Sequence, residues 1–79
     1  YPNPFNPTTT ISYSISSAEN VLIEAYDIRG RLVESLVSDF QYAGNYTAIW
    51  DASRYPSGIY FIIMEAGTFR ETRKVLLIK

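Results

Sequence analysis

Apolar and polar residues alternate along most of this chain. In residues 8–16, TTTISYSIS, Ile11, Tyr13 and Ile15 share one side while Thr10, Ser12, Ser14 and Ser16 share the other. A two-residue period turns one side of an extended strand toward a core and the other toward water. Residues 20–28, NVLIEAYDI, repeat it with Val21, Ile23 and Ala25. Residues 45–51, NYTAIWD, set Tyr46, Ala48 and Trp50 against Thr47 and Ile49. The segment 31–37, RLVESLV, is ambiguous, because Leu32, Val33, Leu36 and Val37 also fit a helical i, i+3, i+4 spacing. It reads as a strand with a bulge, with a helical turn as the alternative. Residues 59–66, IYFIIMEA, are apolar on both sides, the pattern of a central strand covered on each face. Residues 68–79 run as a last strand to the end.

Turn residues separate these segments. Gly30, Gly44, Gly58 and Gly67 all fall between strand candidates, and Pro56 presets a turn in ASRYPSG. Strands at this spacing predict an all-β fold, a small immunoglobulin-like antiparallel β-sandwich of about seven strands. The resemblance to immunoglobulins is architectural, since no Cys–Trp–Cys pattern is present. The run IYFIIM, uncharged, β-prone and free of proline, is an aggregation hazard on a sheet edge and belongs in a sheet interior. The opening YPNPFNPTTT behaves differently. Pro2, Pro4 and Pro7 cannot donate to a ladder and push Tyr1, Asn3 and Asn6 toward extended conformations. The expected organisation is therefore a stiff proline arm over 1–7 and a sandwich over 8–79.

Composition limits what such a body can do. Seventy-nine residues give one small domain, and with no Cys or His neither disulfides nor the usual zinc sets can brace it. Seven Tyr, four Phe and one Trp leave side-chain packing to supply the stability. The net charge of −1 argues against general nucleic-acid binding. The charge is uneven, however. The last ten residues set Arg70, Arg73, Lys74 and Lys79 against Glu71 alone, a balance of +3. Such a strip reads either as an edge protected from aggregation or as a recognition surface. No apolar run approaches the length of a membrane helix, and no signal peptide is recognisable. Because the sequence starts at Tyr1 without Met, it is expected to be the C-terminal piece of a longer protein.

Catalytic chemistry finds little support. There is no histidine base, cysteine nucleophile or glycine-rich phosphate loop, and the carboxylates are scattered singly without calcium-loop spacing. No enzymatic role and no cofactor are expected. Tyr42, Tyr46, Trp50, Tyr55 and Tyr60 raise the option of a sugar-stacking platform. Trp50 is read as core, whereas Tyr42 and Tyr55, in loops, are the ones expected to be exposed. The triplet Asn45–Tyr46–Thr47 fits a glycosylation acceptor but lies inside a strand.

Four segments together, YPNPFNPTT, YDIRGRLV, AGNYTAIWD with SRYPSGIYFI, and ETRKVLLIK, closely resemble the type A C-terminal sorting domain of the type IX secretion system. The resemblance covers essentially the whole chain and is carried by the order and spacing of the segments. It implies a non-catalytic address label on a cargo protein. The label would be recognised in the periplasm by the outer-membrane translocon, then removed by a sortase, with cargo attached to the cell surface or released. The family's recognition motifs would fall on Tyr1, Pro2, Asn3 and Pro4, on Gly58 and Tyr60, and on Lys74 and Lys79. Structural readings stand beside these: an arm packing Phe5 on the sandwich, a turn plus core at Gly58–Tyr60, and lysines that keep the strand soluble. The competing function is a carbohydrate-binding or structural accessory sandwich of an extracellular enzyme.

Overall fold

A computed structural model describes residues 8–78, so the proline arm and Lys79 lie outside the described residues. Six strands form: β1 (Thr8–Ile15), β2 (Glu19–Asp27), β3 (Leu32–Gln41), β4 (Gly44–Asp51), β5 (Gly58–Ala66) and β6 (Phe69–Leu77). All pair antiparallel, in a two-stranded sheet β1-β4 and a four-stranded sheet in the order β3-β2-β5-β6. The Cα extents of 38 × 28 × 16 Å leave room for two sheets about 10 Å apart and no third layer. Among the described residues the count is six, in keeping with the small antiparallel sandwich of about seven strands expected. Each alternating segment makes one strand, and residues 52–57 form a loop.

The period-two segments bury the faces their sequences specify. Ile11, Tyr13 and Ile15 of β1, Val21, Ile23 and Ala25 of β2, and Ala48 and Trp50 of β4 meet Tyr60, Ile62, Met64 and Ala66 of β5 in one core. Trp50 is fully buried, as its place in the alternation requires. The ambiguous segment is a strand with two bulges. Ile23 faces Val37 but Glu24 faces Ser35, which skips Leu36, and Tyr26 faces Leu32, which skips Val33. Each extra residue reverses the alternation locally. Val33, Leu36 and Val37 can therefore all pack against the core from one strand. The helix-like spacing of β3 is the imprint of these bulges.

Two hairpins depend on glycine. In Asp27–Arg31, Gly30 donates to the Asp27 carbonyl (2.9 Å) and Asp27 donates to the Arg31 carbonyl (3.0 Å), with φ +83° at Gly30. This is a three-residue loop closed by a left-handed residue, a position glycine fills without penalty. Between β5 and β6 the pair Ala66–Phe69 is joined by Gly67–Thr68, with φ +61° at Gly67. A Cβ there would run into the Glu19 carboxylate as well as strain the turn.

Strand β5 lies inside its sheet between β2 and β6, as IYFIIM demands. The expectation that both its faces are covered does not hold. Tyr60, Ile62 and Met64 are buried, but Ile59, Phe61 and Ile63 are only half-buried, because among the described residues no layer lies over the outer face of the four-stranded sheet. Substitutions should separate the faces. Ile62→Asp puts a carboxylate in the core and should cost more than about 3 kcal/mol, enough to abolish folding. Ile63→Asp, one residue away and facing outward, should cost about 1 kcal/mol. Urea titration followed by circular dichroism measures both, and equal costs would contradict the one-sided burial.

Candidate recognition surface

Six strands that reverse direction at each step return the chain to the end where it began. Thr8 pairs with Asp51, Asp27 with Tyr60, and Leu77 with Gly58. One end of the sandwich therefore carries the start of β1, the 28–31 turn, the 52–57 loop and the finish of β6. The described parts of the four segments of the resemblance, separated in sequence, each reach this end, at Thr8, the 28–31 turn, the 52–57 loop and Leu77. The opposite end holds the 16–18, 42–43 and 67–68 connections.

Carboxylates organise the two loops. Asp27 Oδ1 accepts the amides of Arg29 (2.9 Å) and Arg31 (3.0 Å), and its Oδ2 pairs with Arg31 Nε at 2.9 Å. The Arg31 amide above all, joined by the Arg31 side chain and the Arg29 amide, holds the Asp27 carboxyl below its ordinary value, against burial, which pushes it up. Asp51 is likewise held low by the Ser53 side chain and amide, with help from Arg54. Between the loops lies an open groove of about 430 Å³, bordered by Arg29, Arg31, Tyr55 and Pro56.

Gly58 begins β5 half-buried, and Tyr60 is only 4% exposed. The Tyr60 hydroxyl donates to the Pro56 carbonyl four residues back, at 2.6 Å. This contact ties the loop to the strand it enters, a tyrosine corner of the kind found in immunoglobulin-like sandwiches. The device occurs twice: Tyr46, two residues after Gly44, donates to the Tyr42 carbonyl at 2.6 Å. In both cases the ring folds back over the glycine, whose Cβ position lies 3.8–4.0 Å from the ring. The sequence carries this second Gly-x-Tyr at 44–46. Burial, and then the Asp27 carboxylate, push the Tyr60 hydroxyl above the ordinary tyrosine value.

The aromatics do not assemble a sugar platform. Trp50 and Tyr60 meet edge to face at 5.4 Å in the core, and Tyr46 stacks on Tyr13 at 5.5 Å. Tyr55, expected to be exposed in its loop, is half-buried instead. Its ring packs on Trp50 at 5.8 Å, and its hydroxyl lies 2.8 Å from the Val33 carbonyl and 3.1 Å from Glu34 Oε1. Glu34 Oε1 also accepts Trp50 Nε1–H at 3.3 Å. A singly placed glutamate thus satisfies the one polar atom of the largest core side chain, which nothing in the sequence pattern signalled. Tyr42 is exposed as expected, at the far end.

On β6 the basic strip resolves into paired and free charges. Arg70 pairs with Glu65 at 2.6 Å and Arg73 with Glu71 at 3.0 Å, and Arg73 also reaches the Ser12 carbonyl of β1 at 3.4 Å. Lys74 is exposed and has no ion pair among the described residues. Its side chain lies on the outer face, opposite Phe61, whereas Tyr60 points into the core. Gly58 and Lys74 thus lie on adjacent strands but address different sides of the sheet. Tyr1, Pro2, Asn3, Pro4 and Lys79 lie outside the described residues. Among the described residues no carboxylate cluster could hold a metal ion, and no helix is long and apolar enough to cross a membrane.

Two measurements test this account. Tyr60→Phe should cost about 1 kcal/mol, because the Pro56 carbonyl loses its partner, and chemical denaturation would detect it. A loss near zero would remove the corner's structural role. The Asp27 carboxylate stabilises the fold above its ordinary pKa of 3.8, and that stabilisation is lost as pH falls through the lower folded value. Wild type should therefore melt above Asp27→Asn at neutral pH, with the gap narrowing as pH falls below the ordinary carboxylate value. A gap independent of pH would rule out the ion pair.

No curated protein and no solved structure matches the chain. The profile of one family, described as the secretion system C-terminal sorting domain, matches residues 1–79. The match spans the whole chain, and so the chain belongs to this family, the C-terminal sorting signals of type IX secretion.

Proposed function

We propose that the sandwich works as a folded, non-catalytic address label read at the end where its strands begin and finish. The observation that carries this reading is the register. It gathers the start of β1, the tyrosine-cornered loop before β5 and the last residues of β6 on one pole. A machine that grips this pole meets the cargo junction and the terminal strand together. The partners are the outer-membrane type IX machinery and its sortase, with cargo joined ahead of the proline arm. The route runs through the periplasm to the cell surface or beyond. Removal of the label falls upstream of the proline-bearing arm.

The roles divide between direct contact and support. Strand β6 is an edge strand, so its outer backbone is free to pair with a partner while Lys74 and Lys79 select orientation. Tyr1, Pro2, Asn3 and Pro4 belong to the direct contacts in this reading, since prolines restrict the freedom a segment loses on binding. Gly58 and Tyr60 act through the fold, since a side chain 4% exposed presents almost nothing to a partner. Among the described residues no aromatic platform assembles, so the geometry does not favour the carbohydrate-binding alternative.

Fusion of residues 1–79 behind a periplasmic reporter, in a bacterium with an active type IX system, tests the reading. The reporter should reach the surface or medium, and removal of residues 74–79 should leave it in the periplasm. Export that survives the truncation would overturn the role of the terminal strand.

A further inference from the structure

The outer face of the four-stranded sheet changes character along its length. At the end away from the termini, Leu22, Glu65 and Arg70 form a cross-strand row in which the two charges neutralise one another at 2.6 Å. Nearer the termini the row is Tyr26, Phe61 and Lys74, and the next pairs Ile59 with Leu76. Leu76 is 64% exposed and Ile28, in the adjoining turn, 68%. A shallow groove of about 340 Å³ runs between Tyr26, Ile28 and Phe61. The face thus ends in an apolar surface with Lys74, which has no ion pair among the described residues, at its margin.

We propose that this surface docks a protein partner presenting a carboxylate beside apolar side chains, with Lys74 taking the charge and Phe61, Ile59 and Leu76 the apolar contacts. The inference rests on the reading of the chain as a sorting signal and names the chemistry that signal meets. Charge complementarity selects the partner. An anionic bilayer attracts each basic residue only weakly, so holding the domain requires several free cations on one face. Of the described basic residues on β6, Arg70 and Arg73 are already paired, which leaves Lys74 alone. One cation beside apolar side chains suits a single carboxylate, partly desolvated by its neighbours, where an ion pair gains strength and fixes orientation.

The reporter fusion serves as the test, with four variants whose melting temperatures are checked first. Lys74→Glu and Leu76→Asp should each reduce exported reporter by about tenfold or more. Lys74→Arg should retain export, as should Ile49→Asp, a comparably exposed site on the other sheet. Suppressors of Lys74→Glu should include an acid-to-base change in an outer-membrane machinery protein. Normal export of both Lys74→Glu and Leu76→Asp would overturn the docking surface while leaving the sorting signal intact. So would an equal loss in Ile49→Asp. Failure of the unaltered fusion to be exported would sink the sorting reading and this inference with it. Sedimentation with phosphatidylglycerol-containing vesicles, lost in Lys74→Glu, would replace the protein partner by a lipid.

Discussion

A two-stranded sheet must be held onto a four-stranded one by side chains alone, and everything else in this molecule depends on that contact. With no cysteine to bridge the layers, Trp50 of β4 does the largest share, wedged against Tyr60 and Tyr55 and fully removed from water. An indole so deeply placed carries a polar nitrogen with it, and an unpaired N–H there would cost about 1–3 kcal/mol. Glu34 removes that cost from β3, a strand whose bulges re-aim its side chains. The irregular strand and the buried tryptophan are thus two halves of one solution.

The pole that bears the termini is built with the same economy. Its loops are tied down by their own residues, with Asp27 and Asp51 accepting nearby amides and Tyr60 holding the Pro56 carbonyl. A rigid pole suits a surface that another protein must recognise, because little freedom remains to be lost on contact. A domain whose motif tyrosine is inaccessible must then be recognised as a shape. Core packing and recognition are not separable here, and substitutions at Gly58 or Tyr60 act on both.

Much of this was legible in the alternation of residues. Ile11, Tyr13 and Ile15, or Tyr46, Ala48 and Trp50, name their buried faces unaided, because strand periodicity is local. Three features were not legible, and each is a property of pairs that only the folded chain defines. Bulges at Val33 and Leu36 appear only when β3 lies against β2. The outer face of β5 looked buried because Ile59, Phe61 and Ile63 are apolar, yet apolar residues identify a face without saying what covers it. The cationic strip at 70–79 looked uniform until register set Arg70 beside Glu65 and left Lys74 by itself. Tyr55 shows the same limit: its loop position suggested exposure, and tertiary packing drew its ring inward.

An even number of strands has a mechanical result. Thr8 and Leu77 leave the sandwich from the same pole, so tension applied between the leading arm and the tail acts along neither sheet. It would peel β1 from β4 and β6 from β5, loading hydrogen bonds one after another instead of sharing the force across a whole ladder. Such a body resists heat through its packed interior and yields readily to a steady tug at its two ends.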